Sequence, residues 1–125
     1  MKKLMLVLAS TLLLALSASA VEMPKSVIHV INVKFKADAP KADVDAAIAS
    51  IGEMAKKFPA AGITRVWLSP IQVQGGASGF THCLVMEFKD AKALESYKDS
   101  AAQKWWYERW LKVRELSNTH DVTNK

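Results

Sequence analysis

The order in which strand-like and helix-like patterns follow one another constrains the fold of this chain more than any other sequence feature. Residues 27–36 are rich in β-branched side chains and alternate apolar with polar positions, as a half-buried strand does. Strand-like segments also occupy residues 63–73, 80–88 and 117–122; a glycine-rich turn joins the second and third segments, and helical repeats fill the other two gaps. The sequence therefore predicts the order β-α-β-β-α-β (βαββαβ). This order is typical of an α+β protein with a ferredoxin-like plait, a four-stranded antiparallel sheet with helices on one face.

The first predicted helix has recognisable ends and one apolar stripe. Asp38 is a plausible N-cap, Pro40 suits the first turn, and Pro59 with Gly62 ends the helix. Apolar residues recur at helical spacing, so we expect one buried stripe that consists of Val44, Ile48, Ile51, Ala55 and Phe58.

The second half of the chain predicts two further helices. Asp90 is expected to cap a short helix that ends near Tyr97. A longer helix is expected from about Ala101 to Leu116. Its inner stripe consists of Ala102, Trp106, Trp110 and Val113. In the second strand, Pro70 indicates an edge position or a bulge, because proline cannot donate a ladder hydrogen bond.

The N-terminus has the three parts of a secretory signal peptide. Lys2 and Lys3 precede a short apolar run, and Ala18 and Ala20 supply the small residues that signal peptidase reads. The apolar run is too short for the roughly 20 residues that cross a bilayer. We therefore predict a signal peptide at residues 1–20, cleavage after Ala20, one domain at residues 21–125, and a periplasmic or secreted protein without a membrane anchor after cleavage.

Charge and cysteine content limit the possible partners of the mature chain. The formal net charge is +5, and two of these charges belong to the signal peptide. The remaining basic residues are scattered among acidic ones, so no nucleic-acid partner is predicted. Cys83 is the single cysteine, which excludes an internal disulfide. It is expected to act as a small apolar residue, with an intermolecular disulfide or a reactive thiol as the alternative.

The sheet face without helices is expected to meet a second copy of the chain. Alternation places Val30, Cys83 and Val85 on this face, beside Asn32 and the charged residues Lys34 and Glu87. Such a face is too apolar for water and too polar for an ordinary core. A two-fold contact between identical sheets would cover it, so the predicted partner is a second subunit in a homodimer.

Three histidines are candidates for chemistry. His29 and His82 fall on the helix-facing side of the first and third strands, where they either line a pocket or are satisfied core histidines. Because both lie near the starts of antiparallel strands, they should be on the order of 10 Å or more apart, too far to share a metal ion. His120 and Asp121 are adjacent in the last strand and should point to opposite faces. A surface or interface role is expected for His120.

The long predicted helix carries an aromatic cluster. Trp106 and Trp110 lie on its inner stripe, as large core side chains or as walls of a cavity for a flat apolar ligand. Trp105 and Tyr107 point elsewhere, towards a possible dimer rim. Ile48, Ile51 and Leu84 would be the other walls by position. No nucleophile–base pair, carboxylate pair, zinc-ligand cluster or nucleotide-binding loop is recognisable, so neither a cofactor nor a metal centre is predicted.

These segments together resemble the stress-responsive A/B barrel (Dabb) family, a branch of the dimeric α+β barrel superfamily. The resemblance is carried by His29–Lys36, by Gly79–Phe88, by Ala93–Tyr97 and by Asp121. It covers roughly residues 26–123, and both strand histidines have counterparts in the family. It implies a homodimer whose two sheets close into a barrel, with a pocket between sheet and helices in each subunit.

The resemblance also bears on catalysis. A few relatives are enzymes, notably a plant polyketide cyclase in which a Tyr and a His beside the last helix work on the substrate. Tyr97 matches that Tyr, but the family's His-Pro-Ala-His run reads Ser100-Ala101-Ala102-Gln103 here. Gln103 therefore stands at the position of the base, and an amide cannot act as a general base.

Three functions remain open from the sequence, and a binding protein is preferred to an enzyme. The first is an exported homodimer that binds a small apolar or aromatic ligand. The second is a cofactor-independent cyclase, lyase or monooxygenase that uses Tyr97 with His82 or His29. The third is a structural, stress-related dimer without a ligand. The predicted ligand-binding residues are His29, Ile48, Ile51, His82, Leu84, Tyr97, Gln103, Trp106 and Trp110.

Overall fold

The computed structural model describes residues 21, 23–72 and 79–124. The predicted signal peptide and most of the glycine-rich loop at residues 72–79 lie outside this part of the chain. The elements, in chain order, are β1 (Val27–Phe35), α1 (Lys41–Lys57), a 3₁₀ turn (Pro59–Ala61), β2 (Ile63–Pro70), β3 (His82–Phe88), α2 (Ala91–Tyr97), α3 (Ala101–Val113) and β4 (Arg114–Thr123). The predicted order of elements is confirmed.

The four strands form one antiparallel sheet in the order β2-β3-β1-β4. This is the ferredoxin-like arrangement that the sequence predicts. β2 lies at an edge and ends at Pro70, which confirms the edge position inferred from the proline. The two ends of the domain meet at one end of the sheet, where Val27 lies opposite Thr123 and the Asn124 side chain donates a hydrogen bond of 2.8 Å to the Pro24 carbonyl.

The strand registers divide the sheet into an inner face and an outer face. The inner face carries the buried residues of β1 and β3, including Ile31 opposite Leu84. The outer face carries Val30 opposite Val85. The same register confirms the predicted members of the outer face, since Glu87 lies opposite Ile28 and Cys83 opposite Asn32, each two positions from Val30 along β1.

The buried side of α1 differs from the predicted stripe. Its buried residues are Ala47, Ser50, Ile51 and Met54, of which only Ile51 was predicted. The other predicted members, Val44, Ile48, Ala55 and Phe58, are half-buried at the margins. The small side chains of Ala47 and Ser50 let the α1 backbone lie close to its neighbours. The Ser50 hydroxyl donates 2.7 Å to the Ala47 carbonyl, so its burial leaves no unpaired donor.

Helix ends follow the predictions only in part. The N-cap of α1 is Pro40 without a side-chain hydrogen bond, so the prediction of Asp38 as the cap is wrong. Asp90 does cap α2, because its carboxylate accepts from the Ala93 amide at 2.7 Å. α3 ends at Val113 rather than Leu116, because residues from Arg114 onward pair with β1. That pairing replaces the last helical turn.

The core lies between the inner face and the helices. All four residues of the predicted α3 stripe are buried there, which confirms this prediction. Trp106 and Trp110 are its largest members. No helix in the part of the chain that the structure describes is long and apolar enough to cross a membrane.

Candidate functional site

A histidine–carboxylate pair joins the first and last strands on the inner face. The register places His29 of β1 opposite Asp121 of β4, so both side chains project to the same side. His29 Nδ1 lies 2.5 Å from Asp121 Oδ1. His29 is 7% exposed, whereas the Asp121 side chain is 36% exposed. The pair therefore lies at the boundary between the core and solvent.

This pairing fixes how the imidazole presents its second nitrogen. An ionised carboxylate can only accept hydrogen bonds, so Nδ1 of His29 is the donor in the contact with Asp121. In the neutral ring Nε2 is then an acceptor. The imidazole is flanked by two aromatic rings, those of Phe88 at 6.1 Å and Tyr97 at 6.5 Å between centroids. The site thus combines one oriented imidazole with an otherwise aromatic wall.

Tyr97 is held in the core by a second polar contact. The Trp106 indole Nε1 donates a hydrogen bond to the Tyr97 hydroxyl, and both residues are buried. Burial raises the pKa of the Tyr97 hydroxyl far above its ordinary value. The phenol is therefore neutral throughout the physiological range. Its oxygen satisfies the one indole donor that Trp106 brings into the core.

An aromatic row runs through the core from His29 to His82. Tyr97 packs 5.0 Å from Phe88, and Trp106 packs 5.2 Å from Trp110. The Phe35 ring then lies 5.5 Å from Trp110 and 4.9 Å from His82. We call this set the aromatic row; its members are His29, Phe88, Tyr97, Trp106, Trp110, Phe35 and His82.

The two inner-face histidines occupy opposite ends of the row, as the sequence predicts. His82 lies opposite Val33, four positions along β1 from His29. At about 3.3 Å per residue this separates them by roughly 13 Å along the strand. Burial lowers the pKa of His82, which favours its neutral form. Among the described residues, no group of three or more His, Cys, Asp or Glu side chains could hold a metal ion.

Gln103 has a structural contact at the start of α3. The Gln103 side-chain oxygen accepts a hydrogen bond of 2.7 Å from the Asp99 backbone N–H. The Gln103 backbone N–H donates a hydrogen bond of 3.3 Å to the Ser100 hydroxyl. Asp99 has a positive φ of 60°, a conformation that non-glycine residues rarely adopt. The Gln103 side chain therefore stabilises the tight turn between α2 and α3.

The remaining predicted site residues belong to the core or its margin. Ile51 and Leu84 are fully buried, and Ile48 is half-buried on α1. Trp105 and Tyr107 are also half-buried and pack against the core. Trp105 stacks on Arg109, whose guanidinium carbon lies 4.1 Å from the ring centroid.

The pairing of Asp121 with His29 was missing from the sequence interpretation. Adjacency correctly placed His120 and Asp121 on opposite faces, since His120 lies opposite Val30 on the outer face. The partner of Asp121 depends on the register between β1 and β4, which joins residues 92 positions apart. The sequence did contain one relevant signal. β1 and β4 are the first and last strands of the predicted order, and in a ferredoxin-like sheet these two strands are neighbours.

The fold and the inner-face site define an α+β protein of ferredoxin-like topology. The profile of the family described as Stress responsive A/B Barrel Domain (Dabb) matches residues 27–124. The chain belongs to this family. No protein with a curated description matches the chain in sequence.

Solved structures with the same fold include proteins of different kinds. A hydroxynitrile lyase from Passiflora edulis has a TM-score of 0.69 and 16% identity, covering 82% of this chain and 95% of that one. A dimeric protein of unknown function from Bacteroides fragilis has a TM-score of 0.63 and 15% identity, with coverage of 82% and 100%. A Dabb protein from Mesorhizobium loti has a TM-score of 0.62 and 19% identity, with coverage of 80% and 97%. At these identities the likeness establishes the fold alone.

Proposed function

We propose that this protein is an exported homodimer that binds a small apolar or aromatic molecule on the inner side of its sheet. The observation that carries the binding proposal is the His29–Asp121 pair, an oriented polar group within an aromatic wall. Ligand sites typically combine apolar walls with a few fixed polar groups. The proposed lining comprises His29, Ile48, Ile51, His82, Leu84, Tyr97, Gln103, Trp106 and Trp110.

The apolar content of the outer face supports the dimer. Four large apolar side chains within the described helices and strands are strongly exposed, and three of them, Trp67, Leu116 and Val122, belong to the outer face. The fourth is Leu111 on α3. Clustering of exposed apolar side chains on one face is typical of an interaction surface. Structural relatives from Bacteroides fragilis and Thermobifida fusca are described as dimeric.

The polar side chains of the outer face are compatible with burial in such an interface. Arg65 lies 3.3 Å from Glu87, and Lys34 lies 2.7 Å from Glu115. Asn32 donates 3.1 Å to Asn118. Because these groups already have partners within one subunit, covering the face would not leave them unpaired. A second copy is therefore the occupant that this face fits.

The dimer is tested by one substitution on each side of the molecule. Trp67 and Leu111 are both 48% exposed, the first on the outer face and the second on α3. We expect sedimentation at micromolar concentration to give a dimer for the unmodified protein and for Leu111→Lys, and a monomer for Trp67→Lys. A monomeric unmodified protein, or equal effects of both substitutions, would contradict the proposal.

Ligand binding is tested by thermal shift against aromatic acids, phenols and haem. A ligand that contacts the imidazole should raise Tm in the unmodified protein and lose its effect in Asp121→Asn, where the orienting carboxylate is gone. Asp45→Asn makes the same change at an exposed carboxylate of α1, away from the imidazole, so it should retain the shift. Failure of every compound to raise Tm would leave the structural dimer as the better description.

The second candidate is a cofactor-independent enzyme, and the His29–Asp121 geometry favours it. A carboxylate that holds an imidazole by Nδ1 leaves Nε2 free to take a proton from a substrate. Tyr97 is a poor proton donor because its pKa is raised by burial and its oxygen accepts from Trp106. Activity on a cyanohydrin or polyketide substrate should therefore disappear in His29→Phe and survive in Tyr97→Phe. If His29→Phe keeps this activity, His29 is not the base and the enzyme proposal is contradicted.

Export is tested separately from binding. We expect the full chain, expressed in a Gram-negative host, to be recovered from the periplasm or medium with a mass that begins at Val21. A product that stays in the cytoplasm and keeps residues 1–20 would contradict this part of the proposal.

A further inference from the structure

A cleft lies outside the aromatic row, where the end of α1 and the 3₁₀ turn meet the α2–α3 junction. Its volume is about 370 Å³. Small-molecule sites usually have volumes of roughly 300–1,000 Å³, so the cleft is large enough for a ligand of modest size. Its lining residues are Lys57, Phe58, Pro59, Ala60, Ala61, Ser96, Ser100, Ala101 and Ala102.

The walls of the cleft are largely apolar and are held in place by surrounding contacts. Gly62 has a φ of 74°, and a Cβ at this position would lie 2.7 Å from the Ala93 Cβ. The 3₁₀ turn is therefore in close contact with α2, and the Lys89 amide donates 3.0 Å to the Gly62 carbonyl. On the opposite side, Gln103 fixes the α2–α3 turn through the Asp99 amide.

The space stays open because of the residue types around it. Four of the nine lining residues are alanines, whose side chains are too short to fill the space between the elements. Phe58 is turned partly towards Trp105, with 6.4 Å between ring centroids. The result is a preformed apolar cleft, which binds a ligand without the cost of ordering its walls.

The charges at the cleft favour an anion. Lys57 is the one charged residue among the nine that line it. A smaller adjoining depression shares Ala60 and Ser96 with the cleft and adds Lys89 and Lys92. The carboxylate in that depression, Asp90, already accepts from the Ala93 amide at 2.7 Å. Basic residues therefore line both the cleft and the depression beside it.

We propose that this cleft is a second binding site, independent of the His29–Asp121 pair, for a single-chain carboxylate with an apolar tail. The tail lies against Phe58 and the alanines. The carboxylate lies at the rim, where the ammonium groups of Lys57, Lys89 and Lys92 surround it. A carboxylate paired with ammonium groups at a partly exposed rim gives orientation, while burial of the tail gives most of the affinity.

The experiment measures binding of decanoate, decanol and decyltrimethylammonium by titration calorimetry below their micelle-forming concentrations. We expect saturable binding of decanoate and binding about tenfold weaker, or undetectable, for the neutral and cationic compounds. Equal affinity for all three compounds, or no saturable binding of decanoate, would overturn the proposal.

Variants locate the site. Ala60→Phe fills the cleft from an exposed position on the 3₁₀ turn and should weaken decanoate binding by about tenfold or more. Ala42→Phe makes the same change on an exposed residue of α1 outside the cleft and should bind normally. Circular dichroism and Tm of the free variants check their folding. Unchanged decanoate affinity in folded Ala60→Phe would contradict the assignment.

Two charge variants complete the test. Lys57→Gln should weaken decanoate but not decanol, whereas Lys56→Gln changes the neighbouring lysine outside the cleft and should alter neither. Asp121→Asn, which tests the inner-face ligand, should leave decanoate binding unchanged. Loss of decanoate binding in Asp121→Asn would show that decanoate binds at the inner-face site, and it would overturn the proposal of a second site.

Discussion

His29 and Trp106 each bring a polar group into the core, and each finds one partner from a different element. His29 pairs with Asp121 at the solvent boundary, where the charge of the carboxylate stays partly hydrated. Trp106 pairs with Tyr97 in the interior, where both groups are neutral. The first pair is the one on which the proposed ligand site depends, and the second joins α2 to α3.

The Tyr97–Trp106 hydrogen bond should contribute measurably to stability. In Tyr97→Phe the Trp106 indole loses its acceptor while it remains buried, and an unpaired buried donor costs about 1–3 kcal/mol. We expect the free energy of unfolding from urea denaturation to fall by that amount. Tyr107→Phe removes the same atom from a half-buried neighbour and should change stability by less than about 1 kcal/mol. Equal losses in the two variants would contradict the role of the bond.

Tyr97 also predicts how stability responds to alkali. Burial raises its pKa, so the folded protein keeps the proton where the unfolded chain releases it. The resulting stabilisation is fully present below the ordinary tyrosine pKa of about 10 and is lost as pH rises beyond it. Denaturation at pH 9 and 11 should show a smaller loss for Tyr97→Phe than for the unmodified protein. An identical pH dependence would contradict this prediction.

Side-chain positions were predictable where a strict repeat defined them. The inner stripe of α3 and the alternation of β1 and β3 follow from spacing alone. The His29–Asp121 and Tyr97–Trp106 contacts were not predictable, because they depend on strand register and on the relative position of two helices. Neither quantity is encoded in the local pattern around these residues.

At the scale of elements, the start of α3 depends on two side chains. Ser100 is the N-cap, and its hydroxyl accepts a hydrogen bond from the Gln103 backbone N–H. The Gln103 side-chain oxygen in turn accepts a hydrogen bond from the Asp99 backbone N–H. This arrangement is close to a capping box, in which both side chains satisfy free amides at the helix start. Gln103 therefore has a structural role at the position where the resemblance implies a catalytic histidine.

The cap should be visible in the stability of the whole domain. Ser100→Ala removes the acceptor for the Gln103 amide, and loss of such a cap typically costs about 1 kcal/mol. Thermal unfolding should record a lower Tm for Ser100→Ala. Ser96→Ala, an exposed serine within α2, is the matched control and should have little effect. A Tm for Ser100→Ala equal to that of the control would show that the cap is dispensable.

The errors in predicting helices have physical causes. The predicted stripe of α1 missed Met54 and the small residues Ala47 and Ser50, which the helix turns inward, where small side chains allow close packing. The predicted end of α3 was too late, because pairing of residues 114–116 with β1 competes with a further helical turn. In both cases tertiary contacts decided between local alternatives.

At the scale of the whole molecule, the proposed dimer makes Cys83 a reporter of the outer face. Its thiol is half-buried between Asn32 and Ser69 in the sheet, and burial raises its pKa. A second sheet over this face would further slow its reaction with a thiol reagent. At the same protein concentration, we expect the Cys83 thiol to react more slowly in the protein with its natural sequence than in Trp67→Lys. Equal rates would indicate that the face is uncovered in solution.

The architecture was predictable because the order of elements and their short connections leave few antiparallel arrangements. The outer face was predictable for the same reason, since alternation along β1 and β3 assigns each residue to a side. The cleft beside the 3₁₀ turn was not, because it depends on how closely Gly62 approaches α2 and on space left by alanines in separate elements.

The hydrogen bond between Asn124 and Pro24 has a consequence for engineering the protein. Because the first and last strands are neighbours and their ends meet, a short linker from residue 124 to residue 23 would close the chain into a ring. Opening that ring at the exposed turn of residues 36–38 would create new termini without cutting a strand. A reporter fused there would be carried on the β1–α1 connection, while the original ends remained joined.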